Sequence, residues 1–219
     1  MSASDSFTLY TYFRSSAAYR VRIALNLKGI DAEYVFVHLL KDGGQQHDPA
    51  FLRVNPQALV PALVHDGHAI GQSLAIIEYL DEIRPEPPLL PKEAFARARV
   101  RQIAYAVGCD IHPVNNLRVL NYLRQDFGRS EHDVLEWTRH WIHLGFAALE
   151  KLLLAPQTGR FCHGDKPTMA DVCLIPQLAN ARRAKMDVSV YPALLRIEEA
   201  ALALPAFAKA LPNNQPDAE

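Results

Sequence analysis

Ser15 and Ser16 form an adjacent pair of hydroxyls between a predicted strand and a predicted amphipathic helix. A serine acts as a nucleophile only when a base is held within reach, and neither histidine nor cysteine stands beside this pair. A hydroxyl at a helix N-terminus can instead donate to an anion, and the positive end of the helix dipole lowers the pKa of a thiol held there. Such a thiol would have to come from a bound cofactor. Two alternatives stay open: one serine only caps the helix, or a base arrives from a distant segment.

Gln72 and Ser73 precede a second predicted helix, and its start offers the same kinds of anion-binding groups. The run LAIIEYLDEI (74–83) has helical apolar spacing, and Ser73 is expected to be its N-cap. A helix N-terminus with a free hydroxyl and amide N–H groups binds carboxylates, although one such start alone is weak evidence. Together with Ser15 and Ser16, it predicts an anion site with two ends.

A strand–helix–strand order must position these serines. FTLYTYF (7–13) and EYVFVHL (33–39) are predicted strands, and the helix between them, over 16–27, ends at Gly29. This order predicts a parallel strand pair with a right-handed crossover. A polar loop and a short helix from Ala50 follow.

VPALVHDGHAI (60–70) predicts a hairpin with Asp66-Gly67 at its tip. His65 and His68 flank the turn, and without a third ligand they are expected to be exposed hairpin residues and not a metal site. Pro61 begins the first strand, where most X-Pro bonds are trans. The order of the elements nevertheless places Pro61 where a thioredoxin-like domain has a cis-proline beside its thiol site, so we expect the bond to be cis.

RPEPPLLP (84–91) contains four prolines in eight residues, which is typical of a linker. Strand patterns nearly vanish beyond it, and five long segments have helical spacing. The predicted architecture is therefore an α/β domain over 1–84, a Pro-rich linker over 85–91 and an all-helical domain over 92–219. The tail PNNQPDAE is expected to be poorly ordered. Thr168 and Asp171 have the spacing of a capping box, a structural start signal for a buried helix.

Composition argues against several classes of function. The 219 residues are 49% hydrophobic and 21% charged, and the formal net charge of −1 disfavours nucleic acid or an anionic membrane as a partner. The N-terminus MSASDSF lacks the features of a signal peptide, and no apolar run is long enough to span a membrane. Three cysteines without a C-x-x-C pair indicate a reducing cytoplasm and disfavour both a disulfide framework and a zinc site.

Several longer motifs between Leu9 and Asp217 resemble the zeta class of glutathione transferases, the class of the maleylacetoacetate isomerases. The motifs are YFRSS with AYRVRIALNLKGI, LLKDGGQQ, NPQALVPAL, QSLAIIEYLDE, GCDIHPVNNLRVL, GDKPTMADVCLIPQLANARR and the ending QPD. GCDIHPVNNLRVL is also similar to the maleylpyruvate isomerases. The resemblance implies the glutathione transferase fold, which is a thioredoxin-like, glutathione-binding N-terminal domain followed by an all-α, substrate-binding C-terminal domain. It also implies a homodimer.

The resemblance implies a glutathione site, with Ser15 hydrogen-bonded to the glutathione sulfur. Gln46 would contact the cofactor, and the backbone of Val60 would pair with its cysteinyl part. Gln72 and Ser73 would hold the γ-glutamyl end. The full set of matching positions is Ser15, Ser16, Ala17, Gln46, Val60, Pro61, Gln72, Ser73, His112, Asn116, Leu117 and Arg118, of which the last four lie where the family's helical domain closes over the cofactor.

Two positions in this set of motifs depart from the family. Ala17 stands where the family pattern Ser-Ser-Cys has its cysteine, and Tyr19 stands where a tryptophan is usual. The absence of a protein thiol is compatible with a reaction in which glutathione supplies the nucleophile.

The reaction that the resemblance implies is the cis–trans isomerisation of maleylacetoacetate to fumarylacetoacetate in tyrosine and phenylalanine catabolism. Addition of a thiolate to the cis double bond gives an enolate with a single bond, and rotation and elimination then give the trans isomer. The site must hold the two carboxylates of its substrate, a role that suits the bidentate fork of arginine. The substrate-carboxylate candidates are Arg14, Arg118 and Arg183, and the catalytic candidates are Ser15, Ser16 and Arg14; whether Arg182 or Arg183 faces the site stays open.

Three alternatives remain at this point. The first is isomerisation of maleylpyruvate in the gentisate route, and the second is glutathione conjugation or dehalogenation. The third is a glutathione-binding interaction module without catalysis, which the retained serines and arginines disfavour.

Overall fold

The computed structural model describes residues 6–219. Residues 1–5, and with them most of the segment MSASDSF, lie outside the described residues. The chain forms two compact units, one made of the residues up to Leu89 together with Ala203–Glu219, and the other of Leu90–Leu202. The predicted organisation places residues 203–219 in the helical domain, whereas the structure groups them with the N-terminal unit.

The first unit is built on a four-stranded sheet. Its elements are β1 (Phe7–Thr11), α1 (Ser16–Lys28), β2 (Ala32–Phe36), α2 (Pro49–Val54), β3 (Ala62–His65), β4 (His68–Gly71) and α3 (Ser73–Ile83). The strand order is β2-β1-β3-β4. β1 runs parallel to β2 and antiparallel to β3, and β3 runs antiparallel to β4, so the predicted parallel pair and the predicted hairpin are both confirmed.

β1 lies in the centre of the sheet and leads into the loop before α1. Its side chains alternate between buried and half-buried, and Leu9, opposite Tyr34 and Leu63, is fully buried. Both β1 and β2 end earlier than the sequence predicts, since the chain leaves the sheet after Thr11 and Phe36. The carboxyl end of β1 is therefore joined to the N-terminus of α1 by the short loop 12–15.

The ends of α1 and α3 follow different rules. α1 begins after Ser15, whose side chain caps it, and ends at Gly29 in the left-handed conformation with φ 62°. At α3 the cap position belongs to Gln72, and Ser73 is already the first helical residue, so the prediction that Ser73 is the N-cap is wrong. The hydroxyl of Ser73 accepts from the guanidinium of Arg20 instead of from the first turn of its own helix.

The hairpin turn has positive φ at Asp66 and Gly67 (49° and 77°), which is the geometry that favours Asp-Gly. The prediction that His65 is exposed is wrong, because this side chain is only 8% exposed. His65 pairs with Phe7 across the sheet and stacks on its ring at 3.9 Å, and its Nδ1 lies 2.6 Å from the hydroxyl of Tyr79. His68, on the other side of the turn, is exposed as expected.

The second unit is helical. Its helices are α4 (Ala94–Tyr105), α5 (His112–Val114), α6 (Leu117–Gln125), α7 (Glu131–Leu152), α8 (Met169–Arg183) and α9 (Pro192–Leu202), with a wide π-helical segment (Ala106–Ile111) between α4 and α5. The capping box before α8 is confirmed, since the Asp171 carboxylate accepts the Thr168 N–H at 2.7 Å. The same carboxylate accepts the N–H of Cys162 at 2.8 Å, and burial raises the pKa of Asp171.

The C-terminal tail PNNQPDAE (212–219) belongs to the first unit and makes specific contacts there, contrary to the expectation of poor order. Gln215 is 8% exposed, and its Nε2 donates to the carbonyls of Lys209 and Leu211 at 2.8 and 2.9 Å. The tail begins with a 3₁₀ turn (Pro212–Asn214) and follows α10 (Pro205–Lys209), whose Phe207 is fully buried. The side chain of Asn26 donates to the carbonyl of Ala206 at 2.8 Å, and that of Arg22 donates to the carbonyl of Ala210 at 3.3 Å. The sequence pattern does not reveal that these backbone carbonyls, in and directly after α10, accept from side chains of α1.

Among residues 6–219, no helix is long and apolar enough to cross a membrane. The same described part of the chain has no group of three or more histidine, cysteine or acidic side chains arranged to hold a metal ion. Cys109 is exposed, Cys162 and Cys173 are buried, and all three are free thiols.

Candidate active site

Ser15 lies at the cap of α1, after the loop that follows β1. Its Oγ accepts the N–H of Ala18 at 3.2 Å, and its own N–H donates to the carbonyl of Tyr12 at 3.0 Å. A serine hydroxyl carries one donor in addition to its acceptor lone pairs. Since the capping bond uses only a lone pair, the hydroxyl proton of Ser15 remains for donation to an anion.

Ser16 and Ala17 form the first turn of α1 and are 7% and 9% exposed. The N–H groups of the first helical turn have no acceptor within the helix, and the helix dipole adds partial positive charge there. An anion beside Ser15 would therefore be stabilised by the backbone of α1 as well as by the hydroxyl. Ala17 adds only a methyl group, so the chain itself supplies no thiol in this turn.

Gln46 lies in the loop between β2 and α2 and points into the first unit. Its side chain is 9% exposed, and its buried Oε1 has no hydrogen-bond partner among residues 6–219. A buried acceptor without a donor costs about 1–3 kcal/mol, so this oxygen is a candidate for contact with a ligand. Gly44 accommodates the side chain, because a Cβ at that position would overlap the amide group of Gln46.

The Val60–Pro61 peptide bond, immediately before β3, is cis, and this prediction is confirmed. Val60 packs in one apolar cluster with Tyr12 and Phe13, the residues that lead from β1 towards Ser15. The same core therefore supports both the loop that carries Val60 and the loop that carries Ser15.

Ser73 is buried at the first position of α3, and its Oγ accepts from Nη1 of Arg20 at 3.2 Å. As at Ser15, a lone pair of the hydroxyl is engaged by an N–H donor and its proton remains available. Gln72 is exposed and has a φ of 65°, and its side-chain amide donates to Oε1 of Gln57 at 2.9 Å. The two serines thus place similar anion-binding groups at the N-termini of two helices of the first unit.

Arg14 is the arginine nearest to these groups in the chain. It is exposed and directly precedes Ser15. This position makes its guanidinium a candidate partner for a carboxylate close to a group bound at Ser15.

Four predicted site residues lie in the second unit, around α5 and α6. His112 is the first residue of α5 and is half-buried. Asn116 caps α6, and its Oδ1 accepts the N–H of Arg118 at 3.2 Å. Leu117 is half-buried and Arg118 is exposed.

Arg182 and Arg183 end α8 with different partners. Both terminal nitrogens of Arg182 donate to the carboxylate of Glu198 on α9, a contact of 2.5 Å for Nη2. Arg183 is exposed, and its Nη2 donates to Oδ1 of Asn180 at 2.6 Å. Since Arg182 is committed to a bidentate ion pair inside its own unit, Arg183 is the better candidate for a substrate carboxylate.

Known proteins match the chain over nearly its whole length. Family models described as the N-terminal and C-terminal domains of glutathione S-transferase match residues 9–88 and 142–200. A probable maleylacetoacetate isomerase of Vibrio cholerae is 49% identical over 213 residues, which are 97% of this chain and 99% of the relative. A holo structure of a maleylpyruvate isomerase, a bacterial zeta-class glutathione S-transferase, superposes with a TM-score of 0.94 at 47% identity, covering 97% of this chain and 100% of its own. The chain belongs to the zeta class of the glutathione S-transferases.

A second solved structure is that of a relative with bound ligands. It is a maleylacetoacetate isomerase of Methylobacterium extorquens AM1 with bound malonate and glutathione, with a TM-score of 0.93, 47% identity, and 97% of this chain and 99% of that chain covered. The comparisons confirm the resemblance to the zeta class and the glutathione transferase fold that the sequence motifs imply.

The first unit of this zeta-class chain has groups that suit glutathione. Glutathione offers a thiol, two carboxylates and several N–H donors, and the unit offers complementary partners for each. The hydroxyl of Ser15 and the start of α1 suit a thiolate, the hydroxyl of Ser73 suits a carboxylate, and the unpartnered Oε1 of Gln46 suits an N–H donor. The residues present therefore fit the cofactor.

Sequence reasoning missed two arginines beneath this site. Arg20 and Arg22 are 1% and 0% exposed and are among the largest fully buried side chains. Burial lowers the pKa of Arg22 to about 10, opposed by the charges of Tyr34, Asp217 and Tyr19. The available signal was the occurrence of two charged residues inside the otherwise apolar run AYRVRIAL.

Proposed function

We propose that this zeta-class chain catalyses the glutathione-dependent cis–trans isomerisation of maleylacetoacetate to fumarylacetoacetate, in the breakdown of tyrosine and phenylalanine. The observation that carries the proposal is the cap of α1, where the hydroxyl of Ser15 keeps its proton for an anion and no protein thiol is present. Full-length relatives that are maleylacetoacetate isomerases support it.

Bound glutathione would supply the thiolate that adds to the cis double bond, permits rotation about the resulting single bond and then leaves. Ser15 donates its hydroxyl proton as a hydrogen bond to the sulfur, and the first-turn amides at Ser16 and Ala17 add partial positive charge. Both effects favour the thiolate over the thiol, so the reactive form is present at neutral pH.

The remaining residues of the first unit orient the cofactor. Gln46 accepts an N–H through its Oε1, the backbone of Val60 beside Pro61 pairs with the cysteinyl part, and Gln72 and Ser73 hold the γ-glutamyl end. These assignments agree with the burial of Gln46 and with the donor that Arg20 provides to Ser73. These contacts hold the sulfur of glutathione in place. None of the residues is assigned to transfer a proton to or from a carbon of the substrate, and addition and elimination of the thiolate need no such transfer.

Arginines recognise the substrate as a dicarboxylate. We assign Arg14, Arg118 and Arg183 to the carboxylates, because a guanidinium binds a carboxylate through two parallel hydrogen bonds. All three are exposed, and the ion pair between Arg182 and Glu198 favours Arg183 over its neighbour. His112, Asn116 and Leu117 are proposed as further cofactor contacts on the basis of the family resemblance.

The enzyme is further proposed to be a cytoplasmic homodimer, with neither nucleic acid nor membrane as a partner. Its three free cysteines suit a reducing compartment. The dimer is the state that the family resemblance implies.

A second candidate function is isomerisation of maleylpyruvate. The observation that favours it is the likeness to a maleylpyruvate isomerase, which superposes as well as the maleylacetoacetate isomerase does. Both substrates are cis-enone diacids, so the same arginines and the same thiolate serve either of them.

The test is to follow turnover of each cis substrate by absorbance, with and without glutathione. We expect isomerisation only with glutathione, and a higher kcat/KM for maleylacetoacetate than for maleylpyruvate. The reverse order of kcat/KM would assign the second function. Equal rates without glutathione would exclude the mechanism, and tight glutathione binding without turnover of either substrate would indicate an interaction module.

A further inference from the structure

Asp217, the third residue from the C-terminus, contacts the loop that leads to Ser15. Its Oδ2 accepts the N–H of Phe13 at 2.9 Å, a hydrogen bond between residues 204 positions apart. Phe13 is buried and lies two residues before Ser15. The chain end therefore touches the backbone that carries the proposed sulfur-binding residue.

The buried guanidinium of Arg22 holds the same loop from the other side. Its Nη1 donates to Thr11 Oγ1 at 3.1 Å and to the carbonyl of Tyr12 at 3.3 Å, and its Nη2 donates to the carbonyl of Phe13 at 3.1 Å. Ser15 is tied to this loop as well, because its N–H donates to the carbonyl of Tyr12 at 3.0 Å. The position of Ser15 thus depends on carbonyls held by Arg22 and on an amide held by Asp217.

Arg22 and Asp217 are linked by hydrogen bonds through the C-terminal segment and by the attraction between their charges. Nε and Nη2 of Arg22 each donate at 3.3 Å to the carbonyl of Ala210, two residues before the tail, so the C-terminal segment is attached to Arg22 as well as to the loop. The negative charge of Asp217 raises the pKa of Arg22 against the effect of burial. The tail, Arg22 and the loop before Ser15 form one closed set of hydrogen bonds.

We propose that Asp217 is a positioning residue for glutathione activation, because it fixes the backbone that aims the hydroxyl of Ser15 and the start of α1 at the sulfur. This inference rests on the proposed function. Removal of the Asp217 carboxylate releases the Phe13 amide, loosens Ser15 and weakens stabilisation of the thiolate. The consequence appears as a higher pKa of the bound thiol and not only as a less stable protein.

The experiment compares Asp217→Ala, Asp217→Asn and the matched control Glu219→Gln. Glu219 is also a tail carboxylate, but it contacts Lys41 and His38 and not the loop before Ser15. Asparagine keeps an oxygen that can accept the Phe13 N–H. The readouts are the ultraviolet titration of the glutathione thiol in the complex and kcat/KM for maleylacetoacetate across pH.

For Asp217→Ala we expect kcat/KM to fall about tenfold at neutral pH and to recover at a pH above the raised thiol pKa. Asp217→Asn should remain close to the parent in the thiol titration, and Glu219→Gln should be unchanged. If Asp217→Ala does not fold, Asp217→Glu, in which the carboxylate is displaced by one methylene, should show a smaller rise in the same pKa.

A lower melting temperature for Asp217→Ala with an unchanged thiol titration would overturn the inference and make the contact purely structural. A thiol pKa raised equally by Glu219→Gln would overturn it too. Failure of the proposed function is distinguishable, because it would appear in the parent enzyme, before any variant is made, as turnover without glutathione, as no turnover of maleylacetoacetate or as a higher kcat/KM for maleylpyruvate.

Discussion

Arg20 Nη1 donates a hydrogen bond to Ser73 Oγ at 3.2 Å, which joins the interior of α1 to the first residue of α3. Arg20 is 1% exposed, so a buried guanidinium supports the start of a helix from below. The hydroxyl of Ser15 is engaged in the same manner by the N–H of Ala18. In both serines an N–H donor occupies a lone pair and leaves the hydroxyl proton for a ligand, which is how a helix start becomes specific for an anion.

Ser73→Ala removes the hydroxyl that Arg20 orients. A hydrogen bond to a charged group contributes about 1.5–3 kcal/mol, so we expect the KM for glutathione to rise about 10- to 100-fold. The value of kcat at saturating glutathione should change little, because Ser73 is assigned to the γ-glutamyl end and not to the sulfur. Steady-state kinetics with varied glutathione measure both; a loss confined to kcat would contradict the assignment.

Ser15→Ala removes both the N-cap of α1 and the donor to the sulfur. We expect kcat/KM for maleylacetoacetate to fall about 10- to 100-fold at neutral pH, since the thiolate loses a charged hydrogen bond. Loss of the cap alone costs about 0.5–2 kcal/mol of stability.

The control for Ser15→Ala is Ser130→Ala, which removes the capping serine of α7. This variant should lose comparable stability while retaining turnover. If Ser15→Ala retains full turnover, Ser16 or a first-turn amide holds the sulfur instead.

The sequence predicted the parts of the site that local rules control. A helix cap at one of the two adjacent serines, a stop at Gly29 and the Asp66-Gly67 turn all follow from residue type and spacing, and all are observed, with the cap at Ser15. The cis bond before Pro61 followed from the order of the elements. These features need no knowledge of distant contacts.

The features that sequence did not predict depend on contacts between distant segments. The cap position of α3 is Gln72, and the hydroxyl of Ser73 accepts from Arg20, 53 residues away. His65 is buried because its register places it on Phe7. No periodicity in a polar tail indicates that Asp217 holds an amide 204 positions away.

His163 should make stability depend on pH. Burial lowers its pKa, and the charge of Arg99, whose Nη1 lies 3.4 Å from Nδ1, lowers it further. Because the unfolded histidine binds protons more readily than the folded one, its contribution is present above the unfolded pKa of about 6.5 and is lost as the pH falls through the folded value.

We therefore expect His163→Gln to lose less unfolding free energy than the parent between about pH 7.5 and pH 5.5. Urea denaturation at each pH measures this, and the difference between the two proteins cancels the titration of the other eight histidines, nine in all less His163. Parallel pH profiles for parent and variant would contradict the prediction.

Ala17→Cys tests whether the thiol that the family resemblance puts at this position takes part in isomerisation. Ala17 is 9% exposed in the first turn of α1, where the helix dipole lowers the pKa of a thiol. If glutathione supplies the nucleophile, the new thiol should change kcat/KM by less than about tenfold, which is smaller than the largest effect expected for Ser15→Ala.

The comparison is made in a Cys109→Ser background, because Cys109 is exposed whereas Cys162 and Cys173 are buried. In that background alkylation with iodoacetamide should leave the parent active, since burial raises the pKa of the Cys162 thiol, and should inactivate Ala17→Cys unless glutathione protects it. A gain in kcat/KM of more than about tenfold in Ala17→Cys would contradict the prediction. It would mean that a protein thiol at this position assists the reaction, although the natural sequence has alanine there.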